Sequence, residues 1–176
     1  MQLWKLVGLA AAGILAIVVL AAVLMRADRI ETQAVLHIDA PPVVVWEAIA
    51  DPDRRADWMN NVRSAAQMTG RAGEPGATMM LRVNVEDFNL SVFEEIVGSG
   101  FPDFIRTETT DNQGALSVAT AYFLEPAEPG TTLEVKTIRE LDESYARYFA
   151  PFIRSRSQAT LEQDLDRLKV MVEAAR

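Results

Sequence analysis

Few side chains in this sequence could act as an acid, a base or a nucleophile. The chain of 176 residues contains no cysteine and one histidine, His37. This excludes thiol nucleophiles, disulfides and metal centres built from several histidines. Because no serine can be placed beside His37 from the sequence, we interpret it as a structural or surface residue, not as a catalytic base. We therefore predict no catalytic residue, no metal site and no cofactor.

Two carboxylate doublets, Glu86-Asp87 and Glu94-Glu95, are the other candidates for acid and base chemistry. Neighbouring residues in a strand point to opposite faces, so neither doublet forms an acid/base pair. Glu94 shares its parity with the alternate apolar residues that precede it and is predicted to point inward with them. Arg82 and Arg106 raise the same question on their own strands, where an inward cation could orient a carboxylate or phosphate headgroup.

Composition limits the partners of the protein. Hydrophobic residues make up 49% of the chain, and 17 Lys and Arg stand against 25 Asp and Glu, for a net charge of −8. Binding to nucleic acid needs a clustered cationic surface, which this acidic composition does not supply. We therefore predict no nucleic-acid partner and look for a membrane or a small molecule.

Residues 6–25 form a run of twenty residues without a charge. As a helix this run is long enough to cross the roughly 30 Å core of a bilayer. Trp4 and Lys5 precede it and Arg26 and Arg29 follow it, as is typical of the edges of a transmembrane helix. A cleaved signal peptide is the alternative, but its apolar core is normally only about 7 to 15 residues long.

We therefore divide the chain into an N-terminal anchor with a short linker, residues 1–29, and one domain, residues 30–176. A short cationic leader usually stays in the cytoplasm. This orientation predicts a single-pass protein of the inner membrane, with its domain on the periplasmic side.

The pattern of the domain is strand, two short helices, six strands and a long helix. The first strand is Thr32–Ile38 and ends at an Asp-Ala-Pro-Pro turn. Six runs of period two, separated by turn residues, predict an antiparallel meander: Val62–Thr69, Ala77–Val85, Phe88–Val97, Phe104–Thr109, Leu116–Leu124 and Thr131–Leu141. A helical period then returns, with Leu161, Leu165, Leu168 and Val172 on one face. Such a curved seven-stranded sheet can wrap around the last helix and enclose an apolar space.

The opening of the domain resembles a known superfamily. The segment HIDAPPVVVWEAIADPDRRADWMNNV, residues 37–62, is similar to the start of the START-like helix-grip proteins, also called SRPBCC or polyketide cyclase/dehydrase-like. The glycine-containing turn at 70–78 and the helix ending in LDRLKVMVE match the same pattern. The resemblance covers residues 32–174 and implies an α+β helix-grip fold with a hydrophobic cavity for lipids, sterols or polyketides.

These observations predict a membrane-tethered protein that binds or transports a hydrophobic small molecule or lipid. The ligand-binding residues predicted from strand parity and from the last helix are Phe88, Leu90, Val92, Tyr122, Arg139, Phe149 and Phe152. Arg139 shares its face with Leu133 and Val135, and with Tyr122 it is predicted to hold a polar headgroup. A cyclase, dehydratase or hydrolase using Glu94, His37 or an arginine remains an alternative, as does a protein-interaction module of the cell envelope.

Overall fold

A computed structural model describes residues 28–85, 88–112, 116–141 and 146–175 of the protein. The segment 6–25, predicted to cross a membrane, lies outside these residues. Among the helices that the structure describes, none is long and apolar enough to span a bilayer.

Seven strands and three α-helices make up the described domain. In chain order the elements are β1 (Arg29–Ile38), α1 (Pro42–Ala50), a 3-10 turn (Pro52–Arg54), α2 (Arg55–Trp58), β2 (Val62–Thr69), β3 (Thr78–Val85), β4 (Phe88–Gly100), β5 (Phe104–Asp111), β6 (Ser117–Pro126), β7 (Thr131–Glu140), a second 3-10 turn (Ala146–Phe149) and α3 (Ala150–Ala174). The predicted order of elements is confirmed.

The strands form one antiparallel sheet in the order β1-β7-β6-β5-β4-β3-β2. Strands β2 to β7 are the predicted meander, because each pairs with the next along the chain. Strand β1 pairs with β7 from Arg29 opposite Glu140 to Ile38 opposite Thr131. Helices α1 and α2 therefore carry the chain from one edge of the sheet to the other.

One face of the sheet, here called the inner face, is covered by α3. Leu165, Leu168 and Val172 of α3 are buried in the main core together with Ile105 and Leu133 of the sheet. Their spacing of three and four residues puts them on one side of the helix, as the sequence predicts. This arrangement of a curved sheet and a C-terminal helix is a helix-grip fold.

Helix α3 also covers the backbone edge of β1. The side chain of Gln158 accepts a hydrogen bond from Gln33 N at 3.3 Å and donates one to Gln33 O at 2.9 Å. Unpaired strand edges are open to association with other chains, so this side chain protects part of the edge.

Candidate ligand site on the inner face of the sheet

The inner face changes from closed to open along its strands. Ile105 and Thr107 of β5 are fully buried, whereas Thr109, two residues further along the same face, is half-buried. On β6 the buried Leu124 and Tyr122 are followed by the half-buried Thr120 in the same way. The inner face therefore reaches solvent at one end, which we call the open end.

Arg139 lies on the inner face at the open end. In β7 the residues with its parity are buried or half-buried, while Lys136 and Glu140 on the other parity are exposed. Its neighbours across the sheet are Val118 of β6 and Ile30 of β1, both apolar. The predicted face of this strand matches its burial pattern.

The guanidinium of Arg139 lies between apolar neighbours on this face. Burial lowers its pKa, and no acid among the described residues offsets that effect. Among the residues that the structure describes, none forms an ion pair or a hydrogen bond with it. Lys136, on the outer face of the same strand, is instead paired with Glu134 at 3.0 Å. An unpaired cation on an apolar surface is a suitable partner for an anionic group that enters from outside.

A second polar cluster, in which Arg55 of α2 meets Glu94 of β4, lies three strands across the inner face from Arg139. Arg55 Nη2 donates to Glu94 Oε1 at 2.6 Å, and both side chains are almost completely buried. The guanidinium stands 5.4 Å from the ring centroid of Trp58, and Thr109 Oγ1 donates a longer bond of 3.4 Å to Glu94 Oε2. Glu94 points inward as predicted, but its charge is already neutralised.

The electrostatics of this cluster favour an ion pair of Arg55 and Glu94 beside a neutral Tyr122 phenol. Burial by itself would lower the pKa of Arg55, but the Glu94 carboxylate and Tyr122 outweigh burial, and the pKa is raised. Burial raises the pKa of the Tyr122 hydroxyl, although Arg55 opposes that shift. Tyr122 therefore stays protonated at neutral pH and can donate a hydrogen bond.

In and beside this cluster, several donors have no partner within the part of the chain that the structure describes. They are Arg55 Nε, Trp58 Nε1 and Thr107 Oγ1, and all three atoms are sealed from solvent. An atom this inaccessible has no adjacent space for a molecule of the size of water. These three atoms are therefore packed against protein.

Asp164 of α3 fastens the helix over the sheet. Its carboxylate accepts a hydrogen bond from Asn60 N at 2.8 Å, and Arg167 donates to Asp57 O, also at 2.8 Å. Burial raises the pKa of Asp164, while the bond from Asn60 and the charge of Arg167 oppose that rise. The helix is thus tied to the segment between α2 and β2.

A groove of about 630 Å³ opens between the start of β1 and the first turns of α3. Arg29, Ile30 and Glu31 line one side, and Ala150 and Arg154 line the other. Because Ile30 is the cross-strand neighbour of Arg139, the groove lies beside the open end of the inner face.

The structure brings some of the predicted ligand residues together and separates others. Val92 and Tyr122 are buried on the inner face, and Arg139 shares that face. Leu90, nearer the start of β4, is 48% exposed. The side chain of Phe88 lies outside the described side chains.

Phe149 and Phe152 do not lie on the inner face. They are 61% and 66% exposed, whereas Ala150 and Ile153 pack on Ile30. At 100° per residue, Phe152 is rotated by about 200° from Ala150 and so points away from the sheet. The prediction that these two phenylalanines face the inside of the domain is therefore not supported.

The remaining candidates from the sequence point outward, and one residue of the buried polar cluster was not predicted. His37, Arg82 and Arg106 are exposed. Arg55 was not predicted because it follows Arg54 and begins a helix of only four residues. A helix this short shows no periodicity. A Trp three residues later, Trp58, was the available signal.

Three solved structures of similar shape are 11 to 17% identical to this chain and show the fold alone. Protein CV1439 from Chromobacterium violaceum superposes with a TM-score of 0.63 at 17% identity, covering 81% of this chain and 96% of that one. Ara h 8.0201 gives 0.61 at 15%, covering 83% and 99%. The di-domain ARO/CYC StfQ from the steffimycin biosynthetic pathway gives 0.67 at 11%, covering 84% and 51%.

No curated protein sequence matches the chain. A family model described as polyketide cyclase / dehydrase and lipid transport matches residues 29–173. That match begins at the first residue of β1 and ends near the end of α3. The chain therefore belongs to the polyketide cyclase/dehydrase and lipid transport family.

Proposed function

We propose that this protein is a membrane-tethered binder or carrier of an apolar small molecule or lipid that ends in an anionic group. The observation that carries the proposal is the guanidinium of Arg139 on the inner face, which has no partner among the described residues. The family description, which includes lipid transport, supports a hydrophobic ligand.

The two parts of such a ligand would be held by different forces. An apolar body placed between the sheet and α3 contributes about 25 cal/mol for each Å² removed from water. An anionic end beside Arg139 gains a charge-assisted hydrogen bond, worth about 1.5–3 kcal/mol net. The apolar body supplies affinity, and Arg139 supplies the preference for a charged end.

The fluorescent fatty acid cis-parinaric acid and its methyl ester test this role of Arg139. We expect Arg139→Leu to weaken binding of the acid about 10- to 100-fold, because 1.4 kcal/mol corresponds to a factor of ten. The ester, which has no charge, should lose little. Lys136→Leu, on the outer face of the same strand, is the matched control and should change neither affinity.

Two results would refute the proposal. Absence of binding of both probes to the unmodified protein would remove the ligand-binding function. An equal loss of acid and ester in a variant whose circular dichroism is unchanged would mean that Arg139 is structural.

The tether and its orientation are separate parts of the proposal. They are supported by the uncharged run at residues 6–25 and by the cations on its two flanks. The full chain should stay in the membrane pellet after carbonate extraction, and a chain lacking residues 1–27 should not. An added Cys at the exposed Ala72 should react with an impermeant maleimide in intact spheroplasts if the domain is periplasmic.

A cyclase or dehydratase is the second candidate, and the polar cluster of Arg55, Glu94 and Tyr122 favours it. A protonated Tyr122 hydroxyl could donate to a substrate carbonyl on which negative charge develops. The test is turnover of a synthetic β-ketoacyl thioester by the purified protein. Turnover that Tyr122→Phe abolishes would favour the enzyme.

A further inference from the structure

Three aromatic side chains at the start of α3 are exposed and form what we call the aromatic patch. Tyr148, Phe149 and Phe152 are 46%, 61% and 66% exposed, and among the other aromatic side chains that the structure describes only Phe101 is exposed to a similar degree. Large apolar side chains that cluster in solvent usually mark a surface that contacts a partner.

The patch stands next to the groove and to the open end. Ala150 and Arg154, which flank Phe152 in α3, line the groove together with Arg29 at the start of β1. Ile30 follows Arg29 and is the cross-strand neighbour of Arg139. Arg139 therefore lies at the same end of the domain as the aromatic patch and the groove.

Strand β1, which follows the N-terminal segment in the chain, begins at this end. The uncharged run stops at Met25, four residues before Arg29, and four residues span at most about 14 Å. If the run crosses a bilayer, Arg29 is held within that distance of the membrane, and the patch beside the groove is held close to it.

The first turns of α3, close to the aromatic patch, carry a net positive charge. Between Ala150 and Leu161 the helix carries Arg154 and Arg156 and no acidic residue, whereas its first acid is Glu162. Cations below aromatic side chains are typical of segments that lie at a lipid interface.

We propose that the aromatic patch rests on the lipid bilayer, so that the ligand passes directly between the membrane and the open end of the inner face. This inference rests on the proposed membrane tether and adds to it a second membrane contact and a source for the ligand. The partner is a bilayer surface, and an anionic headgroup strengthens the contact.

The absence of cysteine from the chain allows one fluorescent reporter to be placed at a chosen site. Phe152→Cys and Val170→Cys, each labelled with NBD, are compared in the full-length protein. Val170 is 68% exposed on the same helix, about 27 Å further along, and serves as the matched control. Both proteins are reconstituted into phosphatidylcholine vesicles that carry doxyl-labelled lipid. The vesicles are prepared with and without 20 mol% phosphatidylglycerol.

We expect the label at residue 152 to be blue-shifted and quenched by the doxyl lipid, more strongly with phosphatidylglycerol, and the label at 170 to show neither effect. Arg154→Glu should reduce the quenching at 152 on the anionic vesicles. A label at 152 that is blue-shifted without quenching would overturn the inference, because the patch would then be covered by protein.

Carbonate extraction of the same vesicles separates the two proposals. A chain that stays with the vesicles while the label at 152 behaves like that at 170 refutes the membrane contact and leaves the tether intact. A chain released by carbonate, with its label at 152 quenched at neutral pH, refutes the tether and supports the contact. Release together with a solvent-exposed label at 152 refutes both.

Discussion

The buried pair of Arg55 and Glu94 should contribute strongly to the stability of the domain, and a double-mutant cycle measures its contribution. The cycle consists of Glu94→Leu, Arg55→Met and the two changes together. The pair is sealed from solvent, and its Nη2–Oε1 distance is 2.6 Å. Removing one partner of such a pair leaves an uncompensated buried charge, which costs about 3–5 kcal/mol.

The two single variants should differ because different partners remain. After Glu94→Leu, the guanidinium keeps the face of Trp58 at 5.4 Å, which offsets up to about 2 kcal/mol. After Arg55→Met, the Glu94 carboxylate keeps the bond from Thr109 at 3.4 Å. A carboxylate can take up a proton as the pH falls, whereas a guanidinium cannot lose one. The cost of Arg55→Met should therefore shrink in acid, and that of Glu94→Leu should not.

The assay is urea unfolding of the full chain in detergent, followed by tryptophan fluorescence at pH 7 and pH 5. We expect each single change to lower the free energy of unfolding by about 3 kcal/mol or more, and the double change to lower it by less than either, because apolar replacement of both partners is often neutral. A double variant that loses the sum of the two single costs would refute this reasoning, since the residues would then contribute independently.

Substitutions at Asp164 and at Gly73 test the packing of the domain. Asp164→Asn keeps an acceptor for Asn60 N and removes a carboxylate whose pKa is raised by burial. Because a raised pKa means that ionisation costs stability, the unmodified protein loses stability as the pH rises through that pKa. The variant should therefore be as stable as the unmodified protein at pH 3 and should unfold at a higher urea concentration at pH 7. Asp164→Ala, which leaves Asn60 N without its acceptor, should instead lower the free energy of unfolding by about 1–3 kcal/mol at both pH values. Gly73→Ala should lower the melting temperature by several degrees, because Gly73 has a φ of +84° and a Cβ there would collide with the Trp46 ring, whereas Gly98→Ala, where a Cβ meets nothing within 4 Å, is the control.

Alternation along the strands made the sheet and the position of Arg139 predictable from the sequence. Leu133 and Val135 fix the buried parity of β7, and a regular strand carries that parity on to Arg139. The order of strands β2 to β7 could be predicted because each turn between consecutive strands is short. These are local properties, and reading them requires no knowledge of the curvature of the sheet.

The errors arose where local periodicity does not apply. Arg55 and Glu94 are 39 residues apart and meet only because the sheet curves towards α2. Phe149 lies in the 3-10 turn that precedes α3, where the helical phase does not apply. Phe152 lies inside α3, nine residues and about 180° from Leu161, so its outward direction follows from the helical phase once the start of α3 is known. Pairing across the fold and the point where a helix begins need tertiary structure.

The role proposed for Arg139 also predicts how binding depends on pH, with the ligand as the titrating partner. An arginine stays charged throughout the usual pH range, even though burial lowers the pKa of Arg139. The free carboxyl of cis-parinaric acid should titrate near about 4.3, as a Glu side chain does. An ion pair with Arg139 depresses the pKa of the bound carboxyl, so the extra affinity is complete above the free value and is lost as the pH falls through the depressed value. At pH 4 the advantage of the acid over the methyl ester should have fallen about two- to threefold, whereas in Arg139→Leu the two affinities should stay alike from pH 4 to pH 8. Binding of the ester at each pH shows whether the site is still folded. Parallel loss of acid and ester in the unmodified protein would mean that the domain itself titrates, and the assignment of Arg139 to the anionic end would fail.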